Sequence, residues 1–218
     1  MEAIRRRRFH WTALGGPGLA RTEMTPASAP QNVRTGLWRW LSRGTGLERF
    51  ELLREADRWL LRGTVLALGK HGPAEVRYEI ASDATWRTER ADVSLCDATG
   101  EGALRLSVEK GRRCENGRER DAVRGCVDID LGRSPSTNTL PIRRLGLAIG
   151  QKSDPLTAAW VRFPELALEP LRQDYERVSQ RRYRHTSRGG AFTADIDVDD
   201  DGLVLEYQGV WQRVSELG

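Results

Sequence analysis

Cysteine and histidine are both scarce, with three of each in 218 residues. Cys96, Cys114 and Cys126 cannot all pair, and none is spaced as C-x-x-C or has histidines nearby. That excludes a disulfide framework and the common zinc spacings, so no metal and no cofactor are expected, and it fits a reduced, cytoplasmic setting. Long apolar runs are missing too. The longest uninterrupted pieces, such as Val65 to Leu68, are strand-sized, far short of the ~18 residues of a membrane span. Nor does either charge dominate: residues 1–35 hold six of the 35 basic residues and two of the 31 acidic ones, leaving 29 of each sign in the body. A fold that gripped phosphate backbones would need a basic face of its own, so nucleic acid is excluded as a partner.

Helical periodicity is the next absence. What is there instead is alternation. From Gly36 onward LWRWLSR, LERFELLRE and RWLLRGTVLAL read as successive strands parted by Gly44-Thr45-Gly46 and Ala56-Asp57. Val76, Tyr78 and Ile80 then share one face, followed by Ala91, Val93 and Leu95, and by Leu104, Leu106 and Val108. Residues 110–122 are polar around Asn116-Gly117, a favoured hairpin pair. In CVDIDL, Val127, Ile129 and Leu131 face one way, and Asp128 and Asp130 are expected on a solvent face. Five more strand-like stretches close the chain, from TAAWVRFP to LVLEYQGVWQRV.

One helix interrupts this pattern. Asn138 or Thr139 supplies an N-cap oxygen, Pro141 falls where a missing N–H costs nothing, and Gly146 supplies a left-handed C-terminal residue. Leu140, Pro141, Ile142 and Leu145 point in several directions, which predicts a largely enclosed helix over Thr139–Leu145. Eleven to fifteen antiparallel strands around it imply a closed or rolled sheet, an all-β fold, since an open sheet that large twists apart or exposes edges.

The N-terminus has the outline of a twin-arginine export signal, with RRRRF at Arg5 to Phe9 and Ala27-Ser28-Ala29 in the place of a cleavage site. Between them TALGGPGLARTEMTP is glycine-rich and broken by Arg21 and Glu23, a poor hydrophobic region. The expectation is a disordered extension over 1–35, one domain over 36–214 and a short tail at 215–218.

The segments TNTLPIRRLGL (Thr137 to Leu147), RQDYERVSQRRYRHTS (Arg172 to Ser187) and FTADIDVDDDGLVLEYQGVWQRV (Phe192 to Val214) resemble the bacterial glycolipid-binding family. GTVLAL, VRYEI, DATWRT and GCVDIDL follow that family's order upstream, so the resemblance covers about residues 36–214. It implies a spiral β-roll, a long sheet wound around a single short α-helix, and a homodimer. It also implies a non-enzymatic protein that binds a lipid or glycolipid, and brings no catalytic motif.

Candidate residues follow from chemistry. Arg143 and Arg144 beside a groove are suited to hold an anionic headgroup by forked hydrogen bonds, although basic residues in a last helical turn also complement the helix dipole and have Asp128, Asp130 and Glu169 as candidate partners. Asn138, Trp86 and Tyr183 join them as ligand candidates, the last two within a wider aromatic set with Trp38, Trp40, Trp59, Trp160, Trp211, Tyr175 and Tyr207, most of which a β-roll needs as core filling. Two alternatives stand beside binding: a hydrolase-like enzyme using Asp128, Asp130 and His185, and a dimerisation module without a small ligand. The acidic run from Asp195 to Gly202 suggests a calcium loop, but Gln208 falls where a bidentate Glu is needed, so a hairpin turn is expected.

Overall fold

A computed structural model describes residues 29–42 and 45–217. The expected N-terminal extension lies mostly outside the described residues, although Gln31 to Thr35 already belong to the first strand. Fifteen strands run in chain order: β1 (Gln31–Trp40), β2 (Gly46–Glu55), β3 (Arg58–Gly69), β4 (Gly72–Ser82), β5 (Thr88–Asp97), β6 (Gly100–Glu109), β7 (Arg112–Glu115), β8 (Arg118–Glu119), β9 (Ile129–Leu131), β10 (Leu156–Arg162), β11 (Ala167–Arg177), β12 (Arg182–Ser187), β13 (Phe192–Val198), β14 (Val204–Tyr207) and β15 (Trp211–Leu217). All fifteen form a single sheet. From one edge to the other the order is β8 to β1 descending, then β15 to β9 descending. Every pairing is antiparallel except β9 with β10.

The first and last strands therefore meet in the middle of the sheet. Their register runs from Thr35 opposite Leu217 to Trp40 opposite Trp211, with one shift between Leu37 and Trp38. Strands β1–β8 and β10–β15 are meanders of short connections, whereas residues 132–155 carry the chain from β9 to its parallel neighbour β10. The Asn116-Gly117 pair turns β7 into β8 with both residues at positive φ, as that dipeptide predicts. The sheet is open and has two edges, so of the two geometries expected, closed or rolled, it is rolled.

The helix α1 (Thr139–Leu145) stands where the sequence put it, in the connection between β9 and β10. Gly146 ends it in the left-handed region at φ 54°. The N-terminus differs from expectation: Asn138 is the capping residue but makes no capping bond with its side chain, which instead donates to the Pro135 carbonyl and accepts from Tyr175. Leu140 and Ile142 are buried, and each contributes about 1.5–3 kcal/mol by leaving water. They join a continuous core with Trp38, Phe50, Leu61, Ile80 and Leu106 from one half and Val161, Leu168, Tyr175, Ile196 and Trp211 from the other.

One strand face was misjudged. Asp128 and Asp130 do not lie on a solvent face: Asp128 is 1% exposed and Asp130 is half-buried. Alternation identifies residues that point the same way, but not whether that direction is wet. Here Arg144 folds back over Asp128 with two hydrogen bonds, Nε at 3.0 Å and Nη2 at 2.5 Å.

Candidate functional site

The rolled sheet leaves a cleft of about 570 Å³ at the end where β1 finishes and β15 begins. Its walls come from residues far apart in the chain. Trp40 ends β1 and Trp211 begins β15, and their rings stack at 5.1 Å. Trp160 on β10, Phe192 on β13 and Tyr207 on β14 add further aromatic surface. Strand alternation carries these side chains inward, and the β1–β15 pairing brings the two ends of the sequence together. Gly132 keeps room for Trp160, since a Cβ there would stand 2.8 Å from the indole nitrogen.

Polar groups converge on the same space. Asp130 projects from β9 into the cleft, and among the described residues nothing donates a hydrogen bond to its carboxylate. Burial raises its pKa to about 6, against the opposing pull of Arg188. Arg188 lies over the Trp160 ring at 5.1 Å. His185 bonds Tyr207 through Nδ1 at 2.7 Å and Gln173 through Nε2 at 3.0 Å. Burial lowers its pKa to about 4, so the ring is neutral, with Nε2–H donating to the amide oxygen and Nδ1 accepting from the phenol. Both ring nitrogens are thus engaged by uncharged partners, and no carboxylate stands at hydrogen-bonding distance from them. Asp130 and His185 share the cleft, whereas Asp128 is held away from it by Arg144.

Beneath the cleft lies a group that sequence reasoning missed. Glu48 on β2 is fully buried, accepting hydrogen bonds from Tyr78 at 2.5 Å and Ser134 at 2.8 Å. Burial raises its pKa to about 8, more than these bonds lower it, so the carboxyl is mostly protonated at pH 7. Ser134 also lines the cleft. The signal was present in GLERFELLRE: Glu48 falls on the same strand period as Phe50 and Leu52.

The expected ligand residues lie in four places. Asn138 lines the large cleft. Arg143 and Tyr183 meet in a separate small cleft of about 220 Å³, together with Arg177 and Arg181. There Arg143 donates to the Asp200 carbonyl and Arg181 forks onto the Asp200 carboxylate. Trp86 is buried in a column, stacked on Trp59 at 4.5 Å with the Arg143 guanidinium 5.3 Å from its ring. Arg144 is committed to Asp128. In the acidic run, Asp199 accepts from the Asp201 and Leu203 amides and pairs with Arg213, as a hairpin turn requires. The outer face holds broader depressions of about 850 and 920 Å³, but they are floored by cross-strand ion pairs such as Arg62 with Glu79 and Arg105 with Asp92. Charges that already satisfy one another leave little to offer a ligand.

Comparison with known proteins agrees with this architecture. The model of the family described as "Putative glycolipid-binding" matches residues 35–213. The chain belongs to this family. The crystal structure of a DUF1089 family protein from Pseudomonas aeruginosa is similar, with 34% identity and a TM-score of 0.71, over 80% of this chain and 95% of that one. Among curated proteins there is no match. Family membership covers all the strands that wall the cleft. No helix among the described residues is long and apolar enough to cross a membrane.

Proposed function

We propose that this protein binds a glycolipid without transforming it, holding the carbohydrate headgroup in the cleft between Trp40, Trp160, Trp211 and Tyr207. The observation that carries this reading is Asp130, a half-buried carboxylate with no donor of its own, set among aromatic rings. A sugar matches that arrangement. Its C–H faces pack on flat aromatic rings, and its hydroxyls donate to a carboxylate and accept from an arginine. Asp130 is then the acceptor, Arg188 the donor, and Asn138 a further polar contact on the helix side. The volume lies within the range of a site for one drug-sized ligand.

The finer expectations belong to the same proposal. Three free cysteines support a cytoplasmic location. The homodimer is carried forward on the family resemblance, and subunit count by native mass spectrometry decides it. The hydrolase-like reading has less support, because His185 is tied to Gln173 and Tyr207 and Asp128 to Arg144.

Tryptophan fluorescence titrated with short-chain glycolipids tests the reading. Native protein is expected to respond and saturate. Asp130→Asn is expected to weaken binding by about tenfold, the value of one charge-assisted hydrogen bond, and Trp160→Ala by at least as much. A native protein that ignores the whole panel overturns the proposal, as does an Asp130→Asn variant that binds as well as the native chain.

A further inference from the structure

Among the described residues, eight large apolar side chains are strongly exposed, and four of them lie on the outer face of β1–β3 at the end where Trp40 enters the cleft. Leu41 is 39% exposed, Leu47 45%, Leu66 55% and Leu68 60%. Backbone pairing makes Leu47, Leu66 and Leu68 neighbours, and Leu41 follows β1 beside them. Leu47 and Leu66 are cross-strand partners, the Leu68 amide donates to the Thr45 carbonyl, and the Leu41 amide donates to the Val210 carbonyl. Trp40 and Ser42, on either side of Leu41, line the cleft. Cations ring the same end. Arg39 is the cross-strand partner of Leu47, exposed Lys70 follows β3, and Arg188 stands at the cleft rim. Arg133 lies over Trp40 and beside Gly69.

This arrangement bears on where the rest of a glycolipid goes. A cleft of about 570 Å³ accommodates a headgroup, but not a headgroup with two long acyl chains. Its polar floor of Asp130, Asn138 and His185 is also a poor solvent for methylene groups. We propose that the Leu41, Leu47, Leu66 and Leu68 corner docks on the surface of an anionic lipid bilayer, so that the lipid's chains stay in the membrane while the headgroup enters the cleft. This rests on the headgroup reading above and adds the partner from which the ligand is taken. The leucines supply the apolar contact. Lys70, Arg39, Arg133 and Arg188 supply attraction to anionic headgroups, about 1 kcal/mol for each basic residue near such a surface. A bilayer is the occupant to which both features are complementary, whereas a second copy of this chain would bring the same cations face to face.

Flotation with vesicles that contain no glycolipid separates this proposal from the cleft reading. Native protein is expected to float with phosphatidylcholine vesicles containing phosphatidylglycerol and, at physiological salt, to float far less with phosphatidylcholine alone. Each of Leu41→Ser, Leu66→Ser and Leu68→Ser is expected to lower partitioning by about tenfold, with an unchanged melting temperature because the side chains are already exposed. Asp130→Asn is expected to float like the native protein. Binding of short-chain glycolipids with no flotation overturns the membrane proposal and leaves the cleft reading standing. Flotation with no glycolipid response does the reverse. A native dimer that the leucine variants convert to a monomer, in protein that does not float, assigns the corner to a second copy and also overturns the proposal.

Discussion

Glu48 occupies a position where the strand period calls for an apolar side chain, and its surroundings explain how it is tolerated. Tyr78 reaches it across Gly63, whose missing side chain makes the room: a Cβ there would stand 2.4 Å from the phenol ring. With its pKa raised to about 8, Glu48 holds a proton in the folded state that it loses near 4.5 when unfolded. Between those values the folded chain binds the extra proton, so stability falls as pH rises, by about 1.4 kcal/mol per unit for one group. Two other groups act lower in the range. Asp130, raised to about 6, has the same sign between about 4 and 6, and His185, lowered to about 4, has the opposite sign between about 4 and 6.5. Of these three, Glu48 alone titrates between pH 6.5 and 8. The native melting temperature is therefore expected to drop across that window in a thermal series, and Glu48→Gln, which keeps the shape of the neutral carboxyl, is expected to flatten the drop. An equal slope in both proteins would mean that Glu48 is ionised in the fold.

At the scale of elements, the connection between the two halves is held by one side chain. Arg113 on β7 is 7% exposed and donates to three carbonyls, those of Thr88, Cys126 and Val127. It fastens the segment that leaves β8 against the start of β5 before the chain enters β9. Its neighbour Arg112 points the other way, 67% exposed and paired with Glu119. Arg113→Met is expected to cost about 3 kcal/mol, because the Thr88 and Cys126 carbonyls lose this donor and the Val127 carbonyl keeps only its bond from the Thr88 amide. Arg112→Met is expected to cost under about 1 kcal/mol, as exposed ion pairs do. Urea unfolding of the two variants checks the contrast, and equal losses would refute it. This element also marks how far sequence reading reaches. Alternation and turn residues located most of the strands and the helix, because those signals are local, whereas β7 and β8 read only as a polar turn and β14 and β15 as one stretch. Arg113 was not legible in its role, since its partners lie on other elements and alternation carries no information about distant carbonyls, whereas Asp128 stood among the carboxylates expected to pair with Arg143 or Arg144. The cleft divides in the same way. Trp40, Trp160, Trp211 and Tyr207 were four of a wider aromatic set read mostly as core, and Asn138 was a ligand candidate, but which of them meet is decided by the pairing of β1 with β15.

For the molecule as a whole, that pairing is the structural pivot. The strands within β1–β8 and within β10–β15 are joined by local connections, yet each half has its inner face covered by the other half and by α1. The connection through residues 120–127 joins them covalently, whereas the β1–β15 seam and the common core join them physically. These two links can be cut separately. A protease site inserted between Arg120 and Asp121, in an exposed stretch, and cleaved after folding breaks only the covalent link. The two pieces are expected to stay together in native mass spectrometry and to unfold in one transition, because the hydrophobic area shared between them is intact. A chain that stops after Gln208 breaks the seam instead. It loses β15, leaves β1 and β14 with unpaired edges and removes Trp211 from its stack on Trp40. That chain is expected to lose its cooperative thermal transition and to expose apolar surface to a fluorescent dye. Separation of the cleaved halves, or native-like melting of the truncated chain, would show that the fold is organised around the connection and not around the meeting of its two ends.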